Sequence, residues 1–208
     1  MSTATPQPLT KTKLLDTAMH VIRAKGYTAT TVDDICVAAG LTKGSFFHYF
    51  RSKEQLAVEA AQHFADMAAG LFSTAPYQQI ADPLDRLLGY IDFRTAILQG
   101  ELADFTCLLG TMVQEAYDTH PQIRAACDQH ISEHAMTIQQ IIEQAKAKYA
   151  PDAEWSAESL AFYTQAVLQG GYILAKAKQS PAITVECLGH LRRYVESLFA
   201  NHQTTSST

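Results

Sequence analysis

Residues 30–56 read TTVDDICVAAGLTKGSFFHYFRSKEQL. Thr31, with Asp34 three residues on, forms a short capping box, which predicts a helix over 32–39. Ala39-Gly40-Leu41 then makes a tight turn: a small residue, one free of a Cβ, and an apolar one that seals the corner. Thr42 can cap a third short helix over 43–50. Phe46 and Phe50 are four apart and can anchor that helix to a core. Lys43, Gly44, Ser45, His48 and Tyr49 fall on its other side. The result is a helix-turn-helix whose second helix offers short polar and cationic side chains, a shape that suits the major groove of DNA. Thr31, Thr42, Ser45, Tyr49 and Lys53 can donate to phosphates, and Lys43 can reach a phosphate or a base edge.

Outward from this stretch the periodicity stays helical. Leu14, Ala18, Val21 and Ile22 mark one face of a first helix over 10–25, stopped by Gly26. Ser52, with Gln55 as its reciprocal capping partner, opens a longer helix with Leu56, Ala60, Phe64, Met67, Ala68 and Leu71 on one face. Asp82-Pro83 reads as a cap and first position. Further helices are expected over Pro83 to Leu98, 107–117, 121–149, 155–178 and 183–199, with a break over 100–105 and others at Ala150-Pro151-Asp152 and Ser180-Pro181. No strand alternation, fixed-period repeat or phosphate-binding glycine loop is present in the sequence. The fold class is therefore all-α, with a three-helix head over 10–56 and a helical body over 57–200. Residues 1–9 read as a flexible lead and 201–208 as a disordered tail.

Composition agrees. The chain has 208 residues, 47% hydrophobic and 18% charged, which is globular rather than disordered. No apolar run approaches the roughly 18 residues of a membrane span, and the first residues lack the apolar core of a secretory signal. The four cysteines form no CxxC pair, which argues against a zinc knuckle or disulfide framework and for a reducing cytoplasm. The net charge of −5 is uneven. Residues 1–53 carry seven Lys/Arg against three acids, and the remainder nine against eighteen. A basic end on an acidic body suits a polyanion-binding head, although charge alone fits surplus surface lysines equally well.

The pattern T-x-x-x-I-x-x-x-A-G-[LV]-[ST]-K-G-[ST]-[FL]-[FY]-x-[HY]-F-x-[ST]-K, running from Thr31 to Lys53, resembles the TetR family of transcriptional regulators. The resemblance implies a recognition helix carrying Lys43, Ser45, Phe47, His48 and Tyr49, with Thr31 and Lys53 on phosphate. Family members most often have Tyr where this chain has Phe47; Tyr49 supplies a hydroxyl two residues on. It also implies a homodimer on double-stranded, pseudo-palindromic operator DNA, repression as the sign of control, and a ligand site among the middle helices. A small molecule bound there would move the fourth helix and spread the two heads.

Ala166, Gly170, Gly171 and Leu174, and the stripe Leu188, Leu191, Val195 and Leu198, have the composition of a dimer face on the last two helices. The same residues could instead be intrachain core. Tyr90, Phe93, Phe105, Met112, Trp155, Phe162, Tyr163 and Tyr172 are candidate ligand-lining residues, each of which core packing would also explain. Cys107 opens a helix, where a thiolate is favoured. The body is also similar to the electrophile- and hypochlorite-responsive TetR subset, which implies a cysteine sensor at Cys107 with Lys176 as its lysine. A buried, packing Cys107 is the plainer reading, and Cys36, Cys127 and Cys187 read as packing residues.

The competing class is a helical-bundle enzyme or metal protein. His130, Glu133 and His134 match H-x-x-E-H, yet no third ligand is identifiable. Glu101 or Glu115 could be a buried catalytic carboxylate, but no Glu-x-x-His pair repeats to build a di-iron site. The reading taken forward is a cytoplasmic DNA-binding regulator, not an enzyme, needing no cofactor and no membrane.

Overall fold

Capping chemistry sets the helix boundaries. The computed structural model describes residues 9–203, in which there are ten α-helices, a single 3-10 turn and no strand. The helices are α1 (Leu9–Lys25), α2 (Val32–Ala39), α3 (Lys43–Tyr49), α4 (Lys53–Ser73), α5 (Pro83–Ala96), α6 (Leu102–Phe105), α7 (Leu108–Ala116), α8 (Pro121–Tyr149), α9 (Ala157–Lys178) and α10 (Ala182–Gln203). The all-α expectation holds. The expected lead over 1–9 and tail over 201–208 lie outside the described residues, apart from Leu9 in α1 and the last turn of α10.

The Thr31 hydroxyl accepts from the Asp34 amide at 3.1 Å while the Asp34 carboxylate accepts from the Thr31 amide at 2.7 Å, the expected capping box. Gly40 closes α2 with φ +61°, a left-handed conformation that a side chain resists. Asp82 accepts from the amides of Leu84 and Asp85 and starts α5. Ser156 does the same for α9 through the Ser159 amide. One expected pairing is offset by a residue: Gln55 accepts from the Arg51 amide, while Ser52 accepts from that of Gln55. The stretch expected as a break over 100–105 contains α6, and Pro76–Gln79 forms the 3-10 turn.

The chain divides into two compact units. The first takes in residues up to Ala68 and Thr106–His130, the second Ala69–Phe105 and residues from Ile131 on. In the first, α1 buries Leu14, Leu15, Ala18, Met19 and Ile22 and packs on α2, α3 and α7. Ile35, Phe46, Phe50 and Leu56 complete that core. In the second, α10 packs on α9 and α5. Leu188, Leu191 and Val195 are buried there, so most of the α10 stripe is intrachain core. Gly171 belongs to the same interface between helices: a Cβ on it would lie 2.9 Å from Thr184 Cγ2.

Candidate functional site

The first unit presents α3. Thr42 caps it by accepting from the Ser45 amide at 3.1 Å. Phe46 and Phe50 are wholly buried, with ring centroids 5.5 Å apart. Lys43, Gly44, Phe47 and His48 are exposed, and Ser45 and Tyr49 half-buried. Phe47 packs edge-on against Phe46 yet keeps 55% of its surface exposed. A Cβ on Gly44 would meet only Thr42 Oγ1 at 3.6 Å, so no packing within the chain demands glycine there.

Two charged groups are held before any partner arrives. Lys43 pairs with Asp33 at 2.8 Å, an exposed bridge that raises the lysine pKa chiefly through that hydrogen bond. Such a surface pair is weak and readily exchanged. Lys53 donates to the carbonyls of Tyr27 at 3.0 Å and Thr30 at 2.9 Å and lies 4.2 Å over the Tyr27 ring. Partial burial lowers its pKa. Two of its three N–H groups are thus engaged in fixing the α1–α2 turn to α4. The same turn is fastened from α7, where Glu115 accepts from the Thr28 amide at 2.7 Å.

Asp34 sits in the first turn of α2. Hydrogen bonds from Lys25 and then from Thr31 hold its carboxyl well below the usual carboxylate range. An unfolded Asp titrates near 3.9, so this contribution to stability is complete above about pH 4 and drains away as the pH falls. We expect Thr31→Ala to lose about 1 kcal/mol at neutral pH and to lose less than wild type on acidification. Urea midpoints at neutral and acid pH measure both; parallel acid slopes would contradict the coupling.

In the second unit the candidate ligand residues separate. Tyr90 and Phe93 meet Phe72 and Tyr77, with centroids 5.6–6.0 Å apart. Tyr172 joins them through Arg94, whose Nη2 donates to its hydroxyl at 2.7 Å, and Phe105 lies 6.4 Å from the Tyr172 ring. Trp155 instead packs edge-on against Phe199, under Lys146. Phe162 and Tyr163 are exposed on α9, Tyr163 against Tyr194. Lys176 is half-buried on the same helix. Met112 and Cys107 belong to the first unit. Met112 is fully buried; Cys107 is partly exposed and caps α7, its Sγ accepting from the Gly110 amide at 3.5 Å. Cys36 and Cys127 are buried, and burial pushes the Cys127 thiol up to about 12.

The H-x-x-E-H stretch takes no metal-binding form. His134 Nε2 faces the Tyr90 hydroxyl at 3.1 Å, and burial, aided by the Arg94 charge, drives its pKa down to about 3. His130 is buried and Glu133 exposed. Among the described residues no three His, Cys, Asp or Glu side chains gather to hold a metal ion. Sequence reasoning did not single out Phe72, Tyr77 or Arg94, which join this aromatic cluster. Arg94 did carry a signal: it continues the buried α5 face of Leu87, Tyr90 and Ile91 at helical spacing, a charge where an apolar residue belongs.

Two family models match the chain, one near its start and one over its later helices. The family model described as "Bacterial regulatory proteins, tetR family" matches residues 14–60, and that described as "Tetracyclin repressor-like, C-terminal domain" matches residues 83–191. The HTH-type transcriptional repressor KstR2 of Mycolicibacterium smegmatis is 41% identical over 81 residues, which span 37% of this chain and 37% of KstR2. The transcriptional regulator AcuR of Cereibacter sphaeroides is 26% identical over 168 residues, 81% of this chain and 77% of its own. Among solved structures, a regulatory protein TetR from Rhodobacter sphaeroides superposes with a TM-score of 0.79 at 24% identity, covering 89% of this chain and 98% of that one. Reduced Escherichia coli NemR gives 0.72 at 24%, covering 88% and 96%. At these identities the structural likeness is one of fold. No helix among the described residues is long and apolar enough to cross a membrane.

Proposed function

The chain belongs to the TetR family of bacterial regulatory proteins, and on that footing we propose that it is a cytoplasmic transcriptional repressor. It binds a pseudo-palindromic operator as a homodimer and lets go when its second unit takes up a small molecule. The observation that carries this reading is α3, fastened by Phe46, Phe50 and the Thr42 cap on one side while Lys43, Gly44, Phe47 and His48 stand exposed on the other. Lys43 leaves Asp33 for a base edge or phosphate. Thr31, Thr42, Ser45, Tyr49 and the remaining N–H of Lys53 serve the backbone. A helix this short covers too little DNA alone, so two copies read two half-sites.

For the dimer, α9 supplies the surface. Phe162, Tyr163, Ala166, Gly170, Ile173 and Leu174 recur at helical spacing, and the large ones are 41–48% exposed. Val185 and Tyr194 extend the patch from α10. The test is a gel shift at about 150 mM salt, where non-specific binding is weakened. The DNA upstream of the protein's own coding region should be retained over a random duplex of equal length. No preference would overturn the proposal.

A second release signal is favoured by Cys107, whose partly exposed thiol already accepts an amide hydrogen at the start of α7. N-ethylmaleimide should weaken operator binding by wild type and spare Cys107→Ser; equal binding before and after alkylation would remove the cysteine from the mechanism.

A further inference from the structure

Along α5 the buried residues Leu87, Tyr90 and Ile91 are followed at helical spacing by Arg94. The guanidinium lies 5.0 Å over the Phe72 ring and donates to the Tyr172 hydroxyl. A cation set among aromatic rings is well placed to attract an anion, because the rings screen it far less than water does. The Tyr90 hydroxyl is the meeting point. Tyr90 is fully buried, which raises its pKa; His134 bonds its hydroxyl, and Arg94, Gln165 and Tyr172 act more weakly on its ionisation. His134 stays neutral and adds no second positive charge. Gln165 is 7% exposed; its amide acts on the Tyr90 hydroxyl, but no acceptor meets Nε2 with full hydrogen-bond geometry. A buried donor left this way is costly unless something supplies an oxygen.

We infer that the second unit binds a small monocarboxylate, its carboxylate held by Arg94 with Gln165 and Tyr172 and its aromatic or short acyl body laid against the wall of Phe72, Tyr77 and Phe93. Arginine suits a planar two-oxygen anion through its fork of N–H groups. Phe72 and Phe93 meet edge-on at 5.8 Å and Tyr77 and Phe93 meet tilted at 5.9 Å, so the three rings touch and form one apolar wall that suits a flat or narrow body laid against it. This inference rests on reading the second unit as the ligand-binding part of a regulator, and it names the chemistry of that ligand.

The full chain is titrated with benzoate and hexanoate beside their neutral partners, benzamide and hexanamide, by calorimetry and by thermal shift without DNA. The carboxylates should raise the melting temperature with concentration, and each amide should bind at least about tenfold more weakly. Arg94→Gln should erase that preference. Should Arg94→Gln fail to fold, Gln165→Glu places a like charge against the anion and should weaken carboxylate binding more than amide binding, reversing the preference. Equal binding of acids and amides, no binding of either acid, or wild-type carboxylate affinity in the folded variants would overturn the assignment. Carboxylate binding without preference for the upstream DNA would sink the repressor reading and leave this one standing. Selective DNA binding with no response to either acid would do the reverse.

Discussion

Replacing Phe46 by alanine should lower the stability of the first unit by about 3–5 kcal/mol, the range for truncating a buried aromatic ring, and should abolish selective DNA binding with it. Phe46 has no exposed surface and meets both Phe47 and Phe50. A seven-residue helix cannot persist on its own propensity, because forming its first turn is unfavourable and few bonds follow. Packing keeps α3 helical, and Phe46 is the largest part of that packing. The two-unit architecture makes the effect separable. Trp155, the single tryptophan, belongs to the second unit, so its emission reports that unit. Hydrogen exchange at the amides of Ile35, Phe46 and Phe50 reports the first. Exchange there should quicken in Phe46→Ala while the Trp155 transition stays near its wild-type position. Unchanged protection of α3 would show that something other than Phe46 holds it.

The second large effect concerns recognition. Lys43→Ala should weaken binding to the chosen operator by about 1–3 kcal/mol for each half-site, and two half-sites double it in the dimer. Releasing Lys43 from Asp33 subtracts little, since a solvent-exposed pair of this kind is weak. Lys53→Ala should act differently. It should weaken all duplexes alike and reduce the slope of log affinity against log salt by about 0.9 for each phosphate that the lysine neutralises. Equal salt slopes for wild type and Lys53→Ala would remove Lys53 from the phosphate backbone and leave it as the tie between Tyr27, Thr30 and α4. Affinities measured at several salt concentrations, on the operator and on a scrambled duplex, separate the two lysines.

The parts of the fold that are legible in the sequence are those encoded by neighbours. The span of α2 follows from Thr31, Asp34 and Gly40, and that of α8 from Pro121 and Ala150-Pro151; all act within a turn of the boundary they set. Pro76–Gln79 and α6 are single turns, too short for an apolar period to show. The candidate ligand site is less legible, because an aromatic residue on an amphipathic helix looks the same whether it faces a core, a cavity or solvent. Tyr90 and Phe162 look alike in the sequence, yet one is fully buried and the other 43% exposed. Gln165 illustrates the same limit: only packing shows that its amide is enclosed beside Tyr90.

In α3 the side chains that secure the helix and those that face outward are different residues. Thr42, Phe46 and Phe50 do the first; Lys43, Gly44, Phe47 and His48 do the second. The outward letters can therefore be exchanged one at a time without loosening the frame beneath them. A lineage carrying duplicated copies could drift toward new target sites by such swaps, each copy still folding as its ancestor did.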